Sequence, residues 1–461
     1  MELSQVKKII KDNEAYLAPI LIQAETANRY YEMKNDILSL KKSKDEKRDK
    51  KTVLRNADNR VCSSWYPLLV DQKSAYIFTY PPLFDVGSIK ANKKIKSVLG
   101  EKFQRVCQKL CHNASNETVA WVHYWNDAKG DFKYGVLPGT QVIPVISDGI
   151  EEELLGVLRV YKRIENDGNT YLVYEIWNDK QCEAYHRKES ETIECLCECN
   201  LFEIINNLTN ERVPTNVYSH PFGEVPFIPF YNNAAHKNDL VRIKGLIDTY
   251  DKTFNGFAND LEDIQEVVMV LSGYSGTSLS GFLEDLKKYK VIKIDDKESG
   301  GVNTLNIDIP VEARKEMLEL TRKAIFAQGQ GVDPDPQNFG NSSGVALEFL
   351  YSLLELKAGN MQTEFTESFS KFIRAICKFH NIEIKDDTVH QTWTRNAIRN
   401  DKENSEIAKN SVGIVSEKTN LKNHPFVEDA DEEITQLQKE RSEADVYGGA
   451  FNTEPNDGDD E

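Results

Sequence analysis

The sequence is poor in what a membrane protein or a catalyst would need. No window of the 461 residues approaches 18 uninterrupted apolar positions, so no helix spanning a bilayer is expected. Met1 to Lys11 is charged and lacks an apolar signal core, so secretion is not expected either. Histidine is sparse, at 8, and no Ser/His/Asp or Cys/His arrangement stands out. No GxxxxGK(S/T) cradle, HExxH pair or GxGxxG opening a helix after a strand is present. Gly273 to Gly281 is glycine-rich but lacks the lysine that would reach a phosphate, and reads as a turn. No cofactor is expected.

Positive charge is also in deficit. Against 74 Asp and Glu stand 57 Lys and Arg, a formal charge of -17. Such a chain is not built to grip phosphate backbones over its whole surface, so any meeting with nucleic acid should be weak, local or transient. Seven of the eleven residues Lys41–Lys51 are basic and three are acidic. That reads as a solvated loop rather than a DNA-binding arm. Cysteines are few and scattered: Cys62, Cys107, Cys111, Cys182, Cys195, Cys197, Cys199 and Cys377. In an unsecreted chain they should stay reduced. Cys195, Cys197 and Cys199 alternate, which would put three sulfurs on one face of a strand. Structural zinc more often takes CxxC-type turns, so no metal site is assigned. Cys107 and Cys111, followed by His112, share a helix face and read as small buried hydrophobes.

What is present suffices for a sizeable core in two to four domains, with 40% hydrophobic and 10% aromatic residues. The dominant stretch runs from Lys237 to Asn381. Leu240, Ile243, Ile247, Tyr250, Phe254, Phe257, Leu261, Ile264, Val268 and Leu271 step by threes and fours, the mark of an apolar seam along one helix face. A helix over 238–271 would be a rod of roughly 50 Å, which must span something or pack along a neighbour. A compact insert, Gly273–Ile309, follows, with a short helix at Leu279–Tyr289 and strands at Val291–Ile294 and Val302–Ile307. Pro310 suits the first turn of a second helix, reaching about Gln328. Gly329–Ser343 reads as an exposed loop whose glycines Gly329, Gly331 and Gly340 let its ends hinge while Pro334 and Pro336 stiffen it. Ser343 is placed to cap a third helix, along which Phe365, Phe369, Phe372, Ile376 and Phe379 repeat the step.

Upstream, residues 1–40 look helical with a break at Pro19, a helical run ends at Tyr80-Pro81-Pro82, and a second run covers Ile95–Cys111. From Ala120 the period changes to two. Runs at Lys133–Val136, Val142–Ile146, Leu155–Lys162, Tyr171–Trp177 and Cys182–His186 are separated by hairpin turn signals. Pro221–Phe230 carries three prolines and must be an extended connector. After Arg441 the chain has seven acidic residues and no basic ones, which predicts a disordered tail.

Several of these stretches resemble the portal (head-to-tail connector) proteins of tailed bacteriophages, the family typical of phages of Gram-positive hosts. They are Asn59-Arg60-Val61, Leu69-Val70-Asp71-Gln72-Lys73, Pro221–Asn233, Leu246-Ile247-Asp248, Asp308–Ala313, Gly331-Val332-Asp333-Pro334, Asn341–Leu347, Val415–Thr419 and Val427-Glu428-Asp429. Each is weak alone, but they fall in the family's order over about residues 15–440.

The resemblance implies an α+β, mostly helical portal fold that assembles as a ring, usually of twelve copies, in the virion at one vertex of the capsid. Double-stranded DNA would pass through it, driven by the large subunit of a separate terminase, and the chain would hydrolyse nothing. Its other implied partners are copies of itself, the major capsid and scaffolding proteins and a head-completion adaptor, with no membrane. The implied parts are an N-terminal arm (1–24), a β-rich wing (25–237), stem helices (238–272 and 310–330) flanking a clip (273–309), a tunnel loop (331–343), a wing or tunnel helix (344–381), a crown (382–440) and the acidic tail (441–461). The channel side chains would be Asp333, Asp335, Gln337, Asn338, Asn341, Ser342 and Ser343, supplying repulsion and exchangeable polar contacts instead of tight phosphate binding. Lys287, Lys288, Lys290 and Lys293 would be the clip's docking cluster. Two other readings compete. Asp260, Glu262, Asp263 and Glu266 would serve a metal-dependent nuclease, although on a helix they default to a solvated stripe. A coiled-coil scaffold would explain the seam but not the β segment.

Overall fold

In the computed structural model the described residues are 3–40, 57–127, 129–147, 149–151, 153–205, 211–264, 268–272, 301–305, 310–335, 344–385, 388–396, 401–427 and 429–448. They form an α+β fold in two compact units, one of residues 1–333 with 353–396 and one of 334–352 with 397–461.

The first unit opens with α1 (Leu3–Tyr31) and a short α2 (Asp36–Ser39). The expected break at Pro19 does not occur. A proline forfeits one backbone bond, and α1 is held on both sides of it by buried Val6 and Ile10 and by buried Ala24, Ala27 and Tyr30. Next come α3 (Trp65–Phe78), β1 (Leu83–Asp85), α4 (Ile89–Leu99) and α5 (Phe103–Glu117). The single run expected over Ile95–Cys111 is thus two helices, because Gly100 turns the chain at φ +65°.

The period-two region follows the sequence closely. It comprises β2 (Val119–Asn126), β3 (Phe132–Pro138), β4 (Val142–Ile146), β5 (Leu154–Ile164), β6 (Thr170–Trp177), β7 (Gln181–Lys188), β8 (Cys197–Glu198), β9 (Phe202–Ile205), β10 (Arg212–Thr215), β11 (Val217–Ser219) and β12 (Phe227–Tyr231). All pairings are antiparallel. One sheet has the order β11-β7-β6-β5-β4, with β8 on β7, and a second has the order β12-β2-β3. Pro229 is accommodated because β12 is an edge strand. One face of the larger sheet buries Leu158, Tyr174, Ile176 and Tyr185 against Val6 and Ile10. The other closes on Trp121, Trp177, Cys182 and Phe227.

The long rod is shorter than its seam. A 3-10 turn at Leu240–Arg242 leads into α6 (Lys244–Ile264), whose 21 residues span about 32 Å. Val268 and Leu271, expected to extend the helix, lie in β13 (Val268–Ser272), which pairs with β14 (Gly301–Leu305). The Val-Met-Val-Leu run suits a pleat better than a helix, because branched side chains lose rotamer freedom against the preceding turn. The insert's expected helix, its Val291–Ile294 strand and the last two residues of its Val302–Ile307 strand lie outside the described residues. Helix α7 (Val311–Gly329) starts after Pro310, as expected, and packs against α6.

Helix α8 (Gly344–Phe379) is the aromatic spine. Phe365, Phe369 and Phe372 are fully buried and meet the rings of Phe78, Phe84, Phe103, Phe230 and Tyr134 at centroid distances of 4.9–5.9 Å. Burial of each is worth about 1.5–3 kcal/mol. Strand β15 (His390–Thr392) pairs with β1. Ser343, the proposed cap, lies outside the described residues. The second unit carries α9 (Asp401–Asn410), α10 (Glu417–Lys422), capped by Ser416 through Thr419 N–H, and α11 (Ala430–Gly448). Contrary to the disorder expected after Arg441, α11 continues to Gly448.

Candidate functional site

Three of the quoted sequence stretches meet at one buried polar node. Helical spacing puts Leu69, Gln72 and Lys73 of α3 on one side. The Lys73 Nζ donates to Asp239 Oδ2 at 2.7 Å and to Asn232 Oδ1 at 2.8 Å. Asn232, just past β12, donates its amide to Asp239 Oδ1 at 2.8 Å. From α8, Lys357 Nζ lies 3.1 Å from the same aspartate and donates to the Gly329 carbonyl at 3.0 Å. Burial alone would raise the Asp239 pKa, but Lys357 and Lys73 outweigh it and hold the carboxyl well below the ordinary carboxylate range. Burial acts against the charged form of Lys357 and lowers its pKa, with Asp239 opposing.

This node fixes the root of the Gly329–Ser343 loop. Gln72 clamps both backbone polar groups of Val332. Its Oε1 accepts from Val332 N–H at 3.1 Å, and its Nε2 donates to the Val332 carbonyl at 2.7 Å. Gly329 and Gly331, expected to act as hinges, are close-packing positions instead, while Gly340 lies outside the described residues. A Cβ on Gly329 would fall 2.6 Å from Leu69 Cδ1, and one on Gly331 would fall 2.1 Å from Leu69 Cδ2. Between them Gln330 takes the left-handed conformation (φ +55°), and its side-chain oxygen accepts from Arg242 Nη1 at 3.0 Å. Asp333 is ion-paired to Arg322 of α7.

Of the proposed channel residues, Asp333 therefore sits on the anchored root and Asp335 is half-buried. Gln337, Asn338, Asn341, Ser342 and Ser343 lie outside the described residues, as do Lys287, Lys288, Lys290 and Lys293. The two described members of the acidic group are not brought together as a metal cluster. Asp260 pairs with Arg314 of α7, and Glu262 accepts from Asn59 Nδ2 at 2.6 Å. The side chains of Asp263 and Glu266 are outside the described set. The three cysteines do not share one strand face. Cys195 belongs to a 3-10 turn and only Cys197 lies in β8, because the chain enters the pairing two residues later than its alternation suggests. Cys107 and Cys111 are buried as expected, and burial pushes both thiols up.

One set of residues escaped the sequence reading. Asp251, Asn255 and Asn259 repeat every four positions along α6 and receive the extended segment around Asn59-Arg60-Val61. The backbone N–H groups of Ser63, Val61 and Asn59 donate to them at 2.9, 2.7 and 2.6 Å, and Asn255 returns a bond to the Val61 carbonyl at 2.7 Å. The i, i+4 polar repeat was the available signal, but on a surface helix it reads as solvation.

Residues 10–447 match the sequence model of the family described as "Phage portal protein, SPP1 Gp6-like". The chain belongs to the phage portal protein family. This portal chain is similar to the portal protein of Clostridium phage phiCD119, at 40% identity over 98% of this chain and 99% of that protein. It is also similar to the portal protein of Bacillus phage SPP1, at 28% identity over 94% of this chain and 86% of that one. The stretches that carried the resemblance are thus partners in the portal chain. Lys73 of one, Asn232 of a second and the Gly331–Asp333 turn of a third converge on one root.

Proposed function

We propose that the chain is the subunit of a portal ring, usually of twelve copies, through which double-stranded DNA enters the capsid and later leaves it. Its part is a passage, not a catalyst. The observation that carries the ring is the exposed apolar surface of the long helices among the described residues. Phe254 and Leu261 of α6, Met317 and Leu320 of α7 and Leu356 of α8 are all exposed, Leu320 and Leu356 to 55%. Side chains of that size on helices otherwise packed by aromatic rings call for cover, and copies of the same chain supply it. The stem helices are then α6 and α7, joined through the β13–β14 ladder toward a clip at 273–309. The sheets of 25–237 form the wing and residues 382–440 the crown. The terminase large subunit and a head-completion adaptor dock at the clip through Lys287, Lys288, Lys290 and Lys293.

The loop beyond Asp333 lines the passage. Asp335, Gln337, Asn338, Asn341, Ser342 and Ser343 offer DNA repulsion and exchangeable contacts, with no basic side chain among them to hold a phosphate. The network of Gln72, Lys357 and Leu69 keeps the root still while the tip meets the moving duplex.

Native mass measurement tests the ring. Twelve copies of 52.6 kDa come to about 631 kDa, and a monomer under every condition, with no ring by electron microscopy, would overturn the proposal. Shortening Asp333–Asn341 should leave assembly intact and impair packaging; normal packaging by that variant would remove the loop's assigned role.

A further inference from the structure

One group of metal-capable side chains converges away from the helices, where the sequence pattern assigned no metal. Register brings it together. Tyr171, Val173, His186 and Lys188 share a face of the larger sheet, through the β6–β7 pairs Tyr171↔Lys188 and Val173↔His186. Arg163 joins that face opposite Tyr171, and Glu165 follows two residues later, where β5 turns into β6. On the far side of β7, Cys197 is the partner of His186, and the Cys199 N–H continues the ladder by donating to the Ala184 carbonyl at 3.0 Å. Alternation therefore points Cys197 and Cys199 to the side of His186.

A ligand atom from each of Glu165, His186 and Cys199 lies within 4.8 Å of the other two. Cys199 is 4% exposed, and the His186 and Glu165 side chains are 19% and 28% exposed. The imidazole is already oriented. Its Nδ1 lies 3.1 Å from Glu165 Oε1, and the Tyr171 ring stacks on it at 5.0 Å. Cys197, opposite His186 in the β7–β8 pairing, has its Sγ 3.5 Å from the His186 carbonyl.

We propose that Glu165, His186 and Cys199 bind a zinc-class divalent cation, with Cys197 available as the fourth ligand. One thiolate, one imidazole and one carboxylate form a donor set for a borderline-soft tetrahedral ion, not for magnesium or calcium, which want oxygens. Bond lengths of about 2.0–2.3 Å give a ligand–ligand edge of roughly 3.5 Å, so no pair of these atoms would have to close by more than roughly 1.3 Å. The ion would staple the β5–β6 turn, β7 and the chain leaving β8, which is otherwise held to β7 by two register pairs, Tyr185↔Glu198 and His186↔Cys197.

The test uses the full-length chain, purified without chelator, and cobalt as the spectroscopic probe. Wild-type protein should carry stoichiometric zinc, and its cobalt form should show a thiolate-to-cobalt charge-transfer band with intense tetrahedral ligand-field bands. Cys199→Ser should remove its own thiolate's share of the charge-transfer band, leaving only what Cys197 supplies, while Cys62→Ser, in a segment apart from this corner, should keep the band whole. Glu165→Gln and His186→Gln preserve side-chain size and guard against a fold failure at Cys199. Each should weaken cobalt binding at least about tenfold, the scale seen even for loss of outer-shell partners. A wild-type chain with no zinc and no charge-transfer band overturns the site, as does unchanged cobalt affinity in Glu165→Gln and His186→Gln.

Discussion

The two halves of α6 are built from the same seam and end in opposite surroundings. In the first half Ile243 (from the preceding turn) and Ile247 are buried with Leu69, Ile325 and Phe326, and Trp65 meets Tyr250 and Phe326 edge-on at 5.5 and 5.6 Å. In the second half Phe254 and Leu261, at the same spacing, are exposed. Periodicity therefore reports that a helix face needs cover but not who supplies it. The chain covers one half itself; the other is the half for which we propose that copies of the chain supply the cover.

The contrast can be broken from the closed side first. Asp239→Ala would strand Lys73 and Lys357 as buried cations and should cost about 3–5 kcal/mol, read as a large drop in thermal midpoint. Ile247→Ala, in the same half, should cost about 2–5 kcal/mol. On the open side, Leu261→Asp should change the stability of the dissociated subunit by only about 0.5 kcal/mol while abolishing the ring by mass measurement. Equal thermal losses for Ile247→Ala and Leu261→Asp would erase the distinction between the halves.

Smaller effects sharpen it. Gln72→Leu leaves the Val332 peptide without its partners and should cost about 1–3 kcal/mol, appearing as faster hydrogen exchange at Val332 more than as global unfolding. Acid acts on the core through His123. Burial pulls its pKa down from 6.5 to about 3, with its bond to the Pro226 carbonyl opposing. The unfolded chain takes up a proton that the folded chain refuses. Stability is therefore full above about pH 6.5 and falls toward pH 3, and the midpoint of His123→Phe should depend less steeply on pH over that window. Asp260→Asn removes a partly solvated pair with Arg314 and should change stability by under about 1 kcal/mol.

Legibility in the sequence followed the same division. Alternating strands and the aromatic steps of α8 could be read because each residue's role is set by its own period. The termination of α6 before Val268 could not, because a seam in threes and fours and a pleated run overlap there. Nothing in their own neighbourhoods marks Lys73 and Lys357 as buried, because Asp239, which pairs with both, is more than a hundred residues from either. Likewise Gly329 and Gly331 suggested freedom by type, whereas Leu69, distant in sequence, makes them points of contact. The corner of Glu165, His186 and Cys199 depends on strand register, which composition does not carry.

The close approach of Leu69 to Gly331 has an evolutionary consequence. A side chain at 331 would collide with Leu69, so the doorway of the loop is fixed by shape. Tip and doorway can then change on separate schedules. On the role proposed for the loop, relatives should be able to exchange tips of different length and charge and seat them in the same doorway.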